Sequence, residues 1–284
     1  MRNNLSNHHY AIINGRRLAY RTAGPSDASP IVLIHALASR SESWDKTSSA
    51  LVRLGYRVIV PDLRGHGRSD WANSYSLAEF EHDLVALLDE LNLERVDFVG
   101  HSLGGHLVLR IAATVPHRVG RCVVEATPVP PRDEADAASL RARTAGPWWR
   151  RSLRTLGAAR ILRLVLLRQF DFRAARPVLR EFRSPMQPWW CGLDLIQSPT
   201  LLLASKNDGT ITERIGLLSS RIAGAKSVIL GEGHHLHTNY FDDYLIAVSA
   251  FLMEGTSPSR AESGLGRVGQ PDPSGISLAD NAVT

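Results

Sequence analysis

Short runs of apolar, often β-branched residues recur along the chain, and stretches with helical spacing separate them. The runs cover residues 31–34, 57–60, 96–99, 121–125, 200–204 and 227–230. Continuous apolar runs this short are typical of strands that are covered on both faces. Their alternation with helices predicts an α/β fold with a mostly parallel sheet flanked by helices.

Local signals mark the ends of several elements. Residues 10–13 and 17–21 flank Asn14-Gly15, a pair that is typical of a tight hairpin turn. Ser76 and Glu79 match a capping box, so we expect a helix to begin after Ser76. Its apolar positions follow at helical spacing: Leu77, Phe80, Leu84, Leu87, Leu88 and Leu91. Two further helices are predicted at residues 103–114 and 240–253.

Residues 127–191 interrupt the alternation of strands and helices. They begin with several prolines, contain an amphipathic stretch at 153–170 and end near a pair of tryptophans. We interpret residues 127–191 as a small helical lid inserted into a core of residues 1–126 and 192–254. Residues 255–284 contain 13 Gly, Pro or Ser. Such a stretch cannot bury enough surface to offset its ordering entropy, so we expect a disordered tail.

Composition adds a charge pattern to this outline. The chain has 284 residues, a net charge of +5, and 44% hydrophobic positions, which excludes an intrinsically disordered protein. Residues 132–183 hold 13 arginines against five acidic residues, a local net of +8 that leaves the rest at −3. This basic segment is either a solvated face or a surface that attracts an anionic substrate, carrier or membrane. The sequence has no zinc-ligand spacing or basic arm, so no nucleic-acid partner is expected.

The sequence also carries expectations about location. Residues 1–15 lack the apolar region of a signal peptide. The longest apolar run of the core, at 31–38, is far shorter than the ~20 residues of a membrane span. Two cysteines cannot build a disulfide framework. We therefore expect a cytoplasmic protein without a transmembrane segment.

The strongest chemical signal is Gly100-His101-Ser102-Leu103-Gly104, between a predicted strand and a predicted helix. A G-x-S-x-G string in this context is typical of a nucleophile elbow. The serine of an elbow sits on a strained turn, so the residues two positions before and after it must be small. The following helix directs its N-terminal N–H groups and its positive dipole end at the reaction centre. Ser102 is therefore the predicted nucleophile.

A serine hydroxyl needs a base to remove its proton, and a late loop supplies the candidates. His234, His235 and His237 follow the last predicted strand. We choose His234 as the base and expect His235 and His237 to pack or to support the turn. Metal binding by the latter two is not expected, because no carboxylate or cysteine stands nearby in the sequence.

The base needs a carboxylate that fixes its tautomer and stabilises the imidazolium. Asp208 follows the run at 200–204, and Glu125 ends the run at 121–125. Either place can deliver a carboxylate to the same histidine, and we favour Asp208. The other interpretations are a solvated turn for Asp208 and an anchor of the insertion for Glu125.

The tetrahedral intermediate needs backbone donors for its oxyanion. The N–H of Leu103, directly after the nucleophile, is one, and the N–H of Leu37, after the run at 31–34, is expected to be the other. His35 is expected to brace this loop and is also a candidate to line the substrate pocket. Four tryptophans of the lid either line an apolar acyl site or simply pack the lid: Trp148, Trp149, Trp189 and Trp190.

With these features in this order, the sequence resembles the α/β-hydrolase superfamily over about residues 10–254, excluding most of the insertion. Residues 62–70, Asp-Leu-Arg-Gly-His-Gly-Arg-Ser-Asp, look like the D-x-R-G-x-G-x-S loop of its small esterases, lactonases, haloperoxidase-like enzymes and C–C hydrolases, where that loop is structural. The order Ser102, Asp208, His234 is the order expected for the fold. The resemblance implies an eight-stranded sheet, a lid between strands six and seven, and chemistry without a cofactor or metal.

Three positions qualify the resemblance. His35-Ala36 stands where the family usually has His-Gly before the oxyanion residue. Glu125 occupies the alternative acid position that some haloalkane dehalogenase-like members use. Ser102 argues against a dehalogenase or an epoxide hydrolase, because those branches use an aspartate nucleophile.

The resemblance favours a serine hydrolase that cleaves a carboxylic ester, thioester or lactone through an acyl-enzyme. Its partner would be a small acyl substrate, which is anionic or carrier-bound if the basic lid attracts it. A C–C bond hydrolase or a cofactor-free perhydrolase would use the same triad. A ligand-binding receptor that kept the fold is the alternative from another class.

Overall fold

The six apolar runs and the two segments of the predicted hairpin form one sheet of eight strands in the computed structural model, which describes residues 5, 8–143, 164 and 166–254. The strands are β1 (His9–Ile13), β2 (Arg16–Ala23), β3 (Pro30–Ile34), β4 (Arg57–Pro61), β5 (Val96–His101), β6 (Val119–Glu125), β7 (Thr200–Ala204) and β8 (Lys226–Ile229). Their order across the sheet is β1-β2-β4-β3-β5-β6-β7-β8. Only β1–β2 and β2–β4 pair antiparallel; the other neighbours are parallel. The predicted fold class is confirmed.

Helices cover both faces of this sheet. The described residues include α1 (Asp45–Arg53), α2 (Leu77–Glu90), α3 (Leu103–Thr114), α4 (Glu134–Arg143), α5 (Ala175–Glu181), α6 (Gln187–Leu193), α7 (Thr210–Arg221), α8 (Leu236–Asn239) and α9 (Phe241–Met253). Alternate residues of β3 enter different cores. Val32 and Ile34 pack with α2 and α3, whereas Ile31 and Leu33 pack with α1 and α9. This burial on both faces is the reason that β3 is a continuous apolar run.

Local signals in the sequence place several boundaries correctly. The Ser76 hydroxyl accepts the Glu79 N–H, and the Glu79 carboxylate accepts the Ser76 N–H, so the predicted capping box begins α2. Asn14 and Gly15 both have positive φ in the turn between β1 and β2. The structure adds α1, α7 and the short α8 to the predicted helices.

The insertion lies between β6 and β7, and its described part contains α4, α5 and α6. Backbone hydrogen bonds attach it to the loop that carries the D-x-R-G-x-G-x-S motif. The Gly67 N–H donates to the Gln169 carbonyl (2.9 Å), and the Asp171 N–H donates to the Gly65 carbonyl (2.8 Å). The loop that follows β4 therefore attaches the insertion to the core.

Parts of the predicted organisation lie outside the described residues. These are residues 144–163 and 165 of the insertion, with Trp148 and Trp149, and the tail at 255–284. The lid as a separate domain and the disordered tail stay predictions. Across the part of the chain that the structure describes, no helix has both the length and the apolar character that crossing a membrane requires.

Candidate active site

Ser102 lies on the turn between β5 and α3, where its backbone has φ 53° and ψ −113°. A residue other than glycine is strained in this conformation, as the serine of a nucleophile elbow is. Close backbone contacts surround the turn. A Cβ on Gly100 would lie 2.4 Å from the Gly104 carbonyl oxygen, and a Cβ on Gly104 would lie 2.1 Å from the Ile34 carbonyl oxygen. Larger residues at either glycine would push the elbow apart.

The loop after β3 therefore lies against the first turn of α3, which brings the two predicted oxyanion donors into neighbouring segments. The N–H of Leu103 begins α3 and has no acceptor within the helix. Leu37 lies in a turn whose positive φ falls at Ala38 (56°) and not at Ala36. The alanine at the usual glycine position is accommodated because this turn does not require a left-handed backbone there.

His35 braces this loop from inside the protein. Its side chain is fully buried, its Nδ1–H donates to the Ala36 carbonyl (2.8 Å), and its Nε2 accepts the Leu63 N–H (3.0 Å). Burial lowers the pKa of His35 to about 4, so the ring is neutral at pH 7. Because the backbone occupies both ring nitrogens, His35 has none left for a substrate.

His234 and Asp208 meet after the last two strands of the sheet. The His234 Nδ1–H donates to Asp208 Oδ2 at 2.7 Å, and the two side chains are 24% and 16% exposed. The Gly233 N–H joins the same loops by donating to Asn207 Oδ1 (2.7 Å). With its Nδ1 protonated, His234 keeps Nε2 as its basic nitrogen. Among the described residues no hydrogen bond joins the Ser102 hydroxyl to this ring; such bonds often tighten only when substrate binds.

Glu125 binds a different histidine. Its carboxylate is fully buried and accepts the N–H groups of Leu236 (2.6 Å) and His237 (3.2 Å). Its two oxygens also contact His237 Nδ1, at 3.0 and 2.8 Å. The structure thus brings Asp208 to His234 and Glu125 to His237, and it separates the two carboxylates that the sequence left as alternatives.

His101, which was missing from the predicted site residues, connects the elbow to the histidine loop. Its Nε2–H donates to the His234 carbonyl oxygen at 2.7 Å. Its ring packs against the rings of His234, His235 and His237, with centroids 4.8–4.9 Å away. Burial lowers the pKa of His101 well below its ordinary value, and the three neighbouring rings lower it further. No sequence signal marks this role, because the second position of G-x-S-x-G accepts many residues.

His101, Glu125 and His237 form a buried group with the residue types of a metal site. Their ligand atoms lie within 4.8 Å of one another, and Glu125 supplies the carboxylate that the sequence lacks near His237. The donor atoms are already engaged, however. The carboxylate accepts two backbone N–H groups and a ring nitrogen, and His101 Nε2 is bound to a backbone carbonyl. These hydrogen bonds satisfy the group without an ion.

Trp189 and Trp190 pack α6 onto α3. Trp189 stacks on His106, with centroids 4.8 Å apart and planes inclined by 12°, and the Trp190 Nε1–H donates to the Pro130 carbonyl (3.2 Å). Only 6% and 5% of these two residues is exposed, so packing accounts for their contacts. A cavity of about 290 Å³ lies next to the Leu37 turn, lined by residues 38–40, 42 and 43 and by Leu164 and Gln169 of the insertion. The insertion therefore reaches the turn that carries one of the predicted oxyanion donors.

Comparison with known proteins identifies similar sequences. A family model described as alpha/beta hydrolase fold matches residues 29–160. An uncharacterized protein of Mycobacterium tuberculosis is 38% identical over 116 residues, which are 40% of this chain and 33% of that protein. A non-heme chloroperoxidase of Streptomyces lividans is 36% identical over 120 residues, which are 42% of this chain and 43% of the chloroperoxidase. The match thus spans a third to less than half of the length of these relatives.

The similarity of structure extends over more of the chain. The enol-lactonase of Burkholderia xenovorans superposes with a TM-score of 0.65 at 25% identity, covering 87% of this chain and 100% of the lactonase. The family model covers the elbow, and the similarity of fold covers about twice as much of the chain as the similarity of sequence to these relatives.

Proposed function

Because this chain belongs to the α/β-hydrolase superfamily, we propose that it is a serine hydrolase that cleaves a carboxylic ester, thioester or lactone. The observation that carries this proposal is the 2.7 Å hydrogen bond from His234 Nδ1 to Asp208 Oδ2, together with the strained elbow at Ser102. A histidine that a carboxylate orients can activate a serine for attack on an acyl carbon.

In the proposed reaction, His234 Nε2 takes the proton of Ser102 as Oγ attacks the acyl carbon. Asp208 holds the required tautomer and stabilises the imidazolium. The N–H groups of Leu37 and Leu103 bind the oxyanion, and loss of one such donor costs about 3 to 4 kcal/mol of transition-state stabilisation. The alcohol, thiol or lactone ring oxygen leaves with the proton from His234. Water that His234 deprotonates then hydrolyses the acyl-enzyme.

The similarity to a non-heme chloroperoxidase favours a second reaction of the same acyl-enzyme. Hydrogen peroxide in place of water would attack the acyl carbon and release a peracid together with the free serine. This perhydrolase reaction needs no change in the triad. Assays of peracid formation and of hydrolysis on the same substrate would separate the two reactions.

We predict that a fluorescent organophosphonate labels the folded protein stoichiometrically at Ser102, because the activated hydroxyl attacks phosphorus as it would attack an acyl carbon. Ser102→Ala should remain unlabelled, while Ser219→Ala, at a serine in α7, should label like the wild type. Peptide mapping by mass spectrometry locates the adduct. A folded wild-type protein that stays unlabelled would overturn the proposal and favour a receptor. A panel of esters, thioesters and lactones, with Ser102→Ala as the blank, then identifies the substrate class.

A further inference from the structure

A basic groove lies on the insertion, away from the residues of the candidate active site. It has a volume of about 630 Å³. Four arginines and two large apolar residues account for most of its lining: Arg141, Arg176, Arg180, Arg183, Phe172 and Leu179. No acidic residue is among the described residues that line it. Four of the 13 arginines of the basic segment therefore lie together at one place on the surface.

The spacing of residues in α5 and in the turns on either side of it brings these side chains together. Phe172, Arg176, Arg180 and Arg183 follow one another at intervals of four, four and three residues, and all four are exposed. Within the described part of the chain, neither Arg176 nor Arg180 takes part in an ion pair. Like charges at i and i+4 destabilise a helix. The stability of α5 therefore does not explain why Arg176 and Arg180 stand four residues apart. Binding of an anion by both side chains does explain it.

Exposed apolar side chains stand next to the arginines. Arg168 and Arg173 lie over the ring of Trp71, at 4.7 and 5.9 Å from its centroid. Phe172, which lines the groove, and Trp71, which contacts the neighbouring Arg173, are each 39% exposed. Leu166 (70%) and Leu167 (54%) directly precede Arg168, the other arginine that contacts Trp71. Clustered exposed apolar side chains usually mark an interaction surface. Leucine and aromatic side chains beside arginines are the combination that lies in the headgroup region of a bilayer.

We propose that this membrane-docking surface, the basic groove with the exposed apolar residues beside it, binds the protein to an anionic lipid bilayer. The phosphates of the lipids accept hydrogen bonds from Arg176 and Arg180, for which a planar guanidinium is well suited. Leu166 and Leu167 enter the boundary between the headgroups and the acyl chains. A bilayer supplies phosphate and hydrocarbon side by side, which is the pairing that this surface presents. Catalysis plays no part in the proposal, so it is tested separately from the proposed function.

Co-sedimentation of the full chain with vesicles tests this surface. Vesicles of phosphatidylglycerol and phosphatidylcholine in equal parts should bind the protein, and pure phosphatidylcholine should not. Binding should weaken as salt is raised, because ions screen the attraction. Each arginine near an anionic surface contributes about fivefold to the partition coefficient. The double variant Arg176→Gln/Arg180→Gln should therefore bind about 25-fold less.

Matched variants show whether position or total charge is responsible. Arg16→Gln/Arg53→Gln removes the same charge from β2 and α1 and should bind like the wild type. Leu166→Ser/Leu167→Ser should bind less at every salt concentration. Equal binding of both kinds of vesicle, or wild-type binding by the Arg176/Arg180 variant, would overturn the proposal. Binding of polyglutamate without binding of anionic vesicles would also overturn it and would assign the surface to an acidic protein.

Discussion

Glu125 is the last residue of β6 and Asp208 follows the neighbouring parallel strand β7, yet the two carboxylates bind different histidines. Asp208 is partly exposed and holds the ring of His234. Glu125 is buried, and its carboxylate holds the backbone of Leu236 while its carbonyl accepts the N–H of Ser102 at 2.8 Å. Glu125 therefore connects the elbow to the histidine loop through its own backbone and side chain. Its removal would leave buried N–H groups without an acceptor, which is costly.

We predict that Asp208→Asn and Glu125→Gln have opposite signatures. Asp208→Asn should slow labelling of Ser102 by an organophosphonate about 10³- to 10⁴-fold and leave stability nearly unchanged, because an amide favours the wrong tautomer of His234. Glu125→Gln should lower the free energy of unfolding by about 1 to 3 kcal/mol. The rate at which the folded variant is labelled at Ser102 should stay within about tenfold of the wild-type rate. Urea unfolding and labelling rates measure both. Equal slowing in the two variants would contradict the assignment of the carboxylates to different histidines.

At the scale of elements, the elbow depends on backbones that meet without a side chain between them. Gly104 of α3 lies against the Ile34 carbonyl at the end of β3, and Gly105 lies against the Thr127 hydroxyl, which would be 2.1 Å from an added Cβ. Gly216 of α7 has open space where a Cβ would stand. Close packing therefore requires glycine at these two positions of α3, whereas packing does not require it at Gly216 of α7.

We predict that Gly104→Ala lowers the free energy of unfolding by about 1 to 3 kcal/mol, because the added methyl group forces α3 away from β3. The same displacement moves Leu103 and should slow labelling of Ser102. Gly216→Ala is the matched control. It should leave labelling unchanged and raise stability by up to about 1 kcal/mol, the helix-propensity difference between the two residues. If alanine were tolerated equally at both positions, the close contact at the elbow would be refuted.

At the scale of the whole molecule, buried histidines make the fold sensitive to acid. Burial lowers the pKa of His35 to about 4 and of His66 and His106 to about 3, and it lowers the pKa of His101 as well. In the unfolded chain these rings have an ordinary pKa of about 6.5. Between the two pKa values the unfolded chain binds more protons than the folded one. The free energy of unfolding therefore falls as the pH drops below about 6.5.

We predict a loss of stability between about pH 6 and pH 4 of up to about 1.4 kcal/mol per pH unit for each of these histidines. Urea unfolding at a series of pH values measures the slope. His106→Phe replaces a ring that stacks on Trp189 and should reduce the slope by about 1.4 kcal/mol per pH unit. His117→Phe, at an exposed position, is the control and should keep the wild-type slope. A His106→Phe variant with that same slope would show that burial does not hold the ring neutral.

Most of the fold was predictable because its signals are local in the chain. All eight strands begin and end within two residues of the six apolar runs and the two hairpin segments that predicted them. The capping box at Ser76 and the turn at Asn14-Gly15 appear where their residue types indicate. α1 was harder to predict because Thr47 and Ser48, two polar residues, are among its buried positions.

The α/β architecture, the elbow at Ser102 and the loop with its three histidines follow from the residue pattern, because periodicity and turn chemistry act between residues that are near one another in the chain. The pairing of each carboxylate with its histidine, and the contact of His101 with His234, follow from the three-dimensional arrangement. Such pairings depend on the directions in which loops leave neighbouring strands. Residue types and spacing do not encode those directions, because they arise from the packing of the whole sheet and its helices.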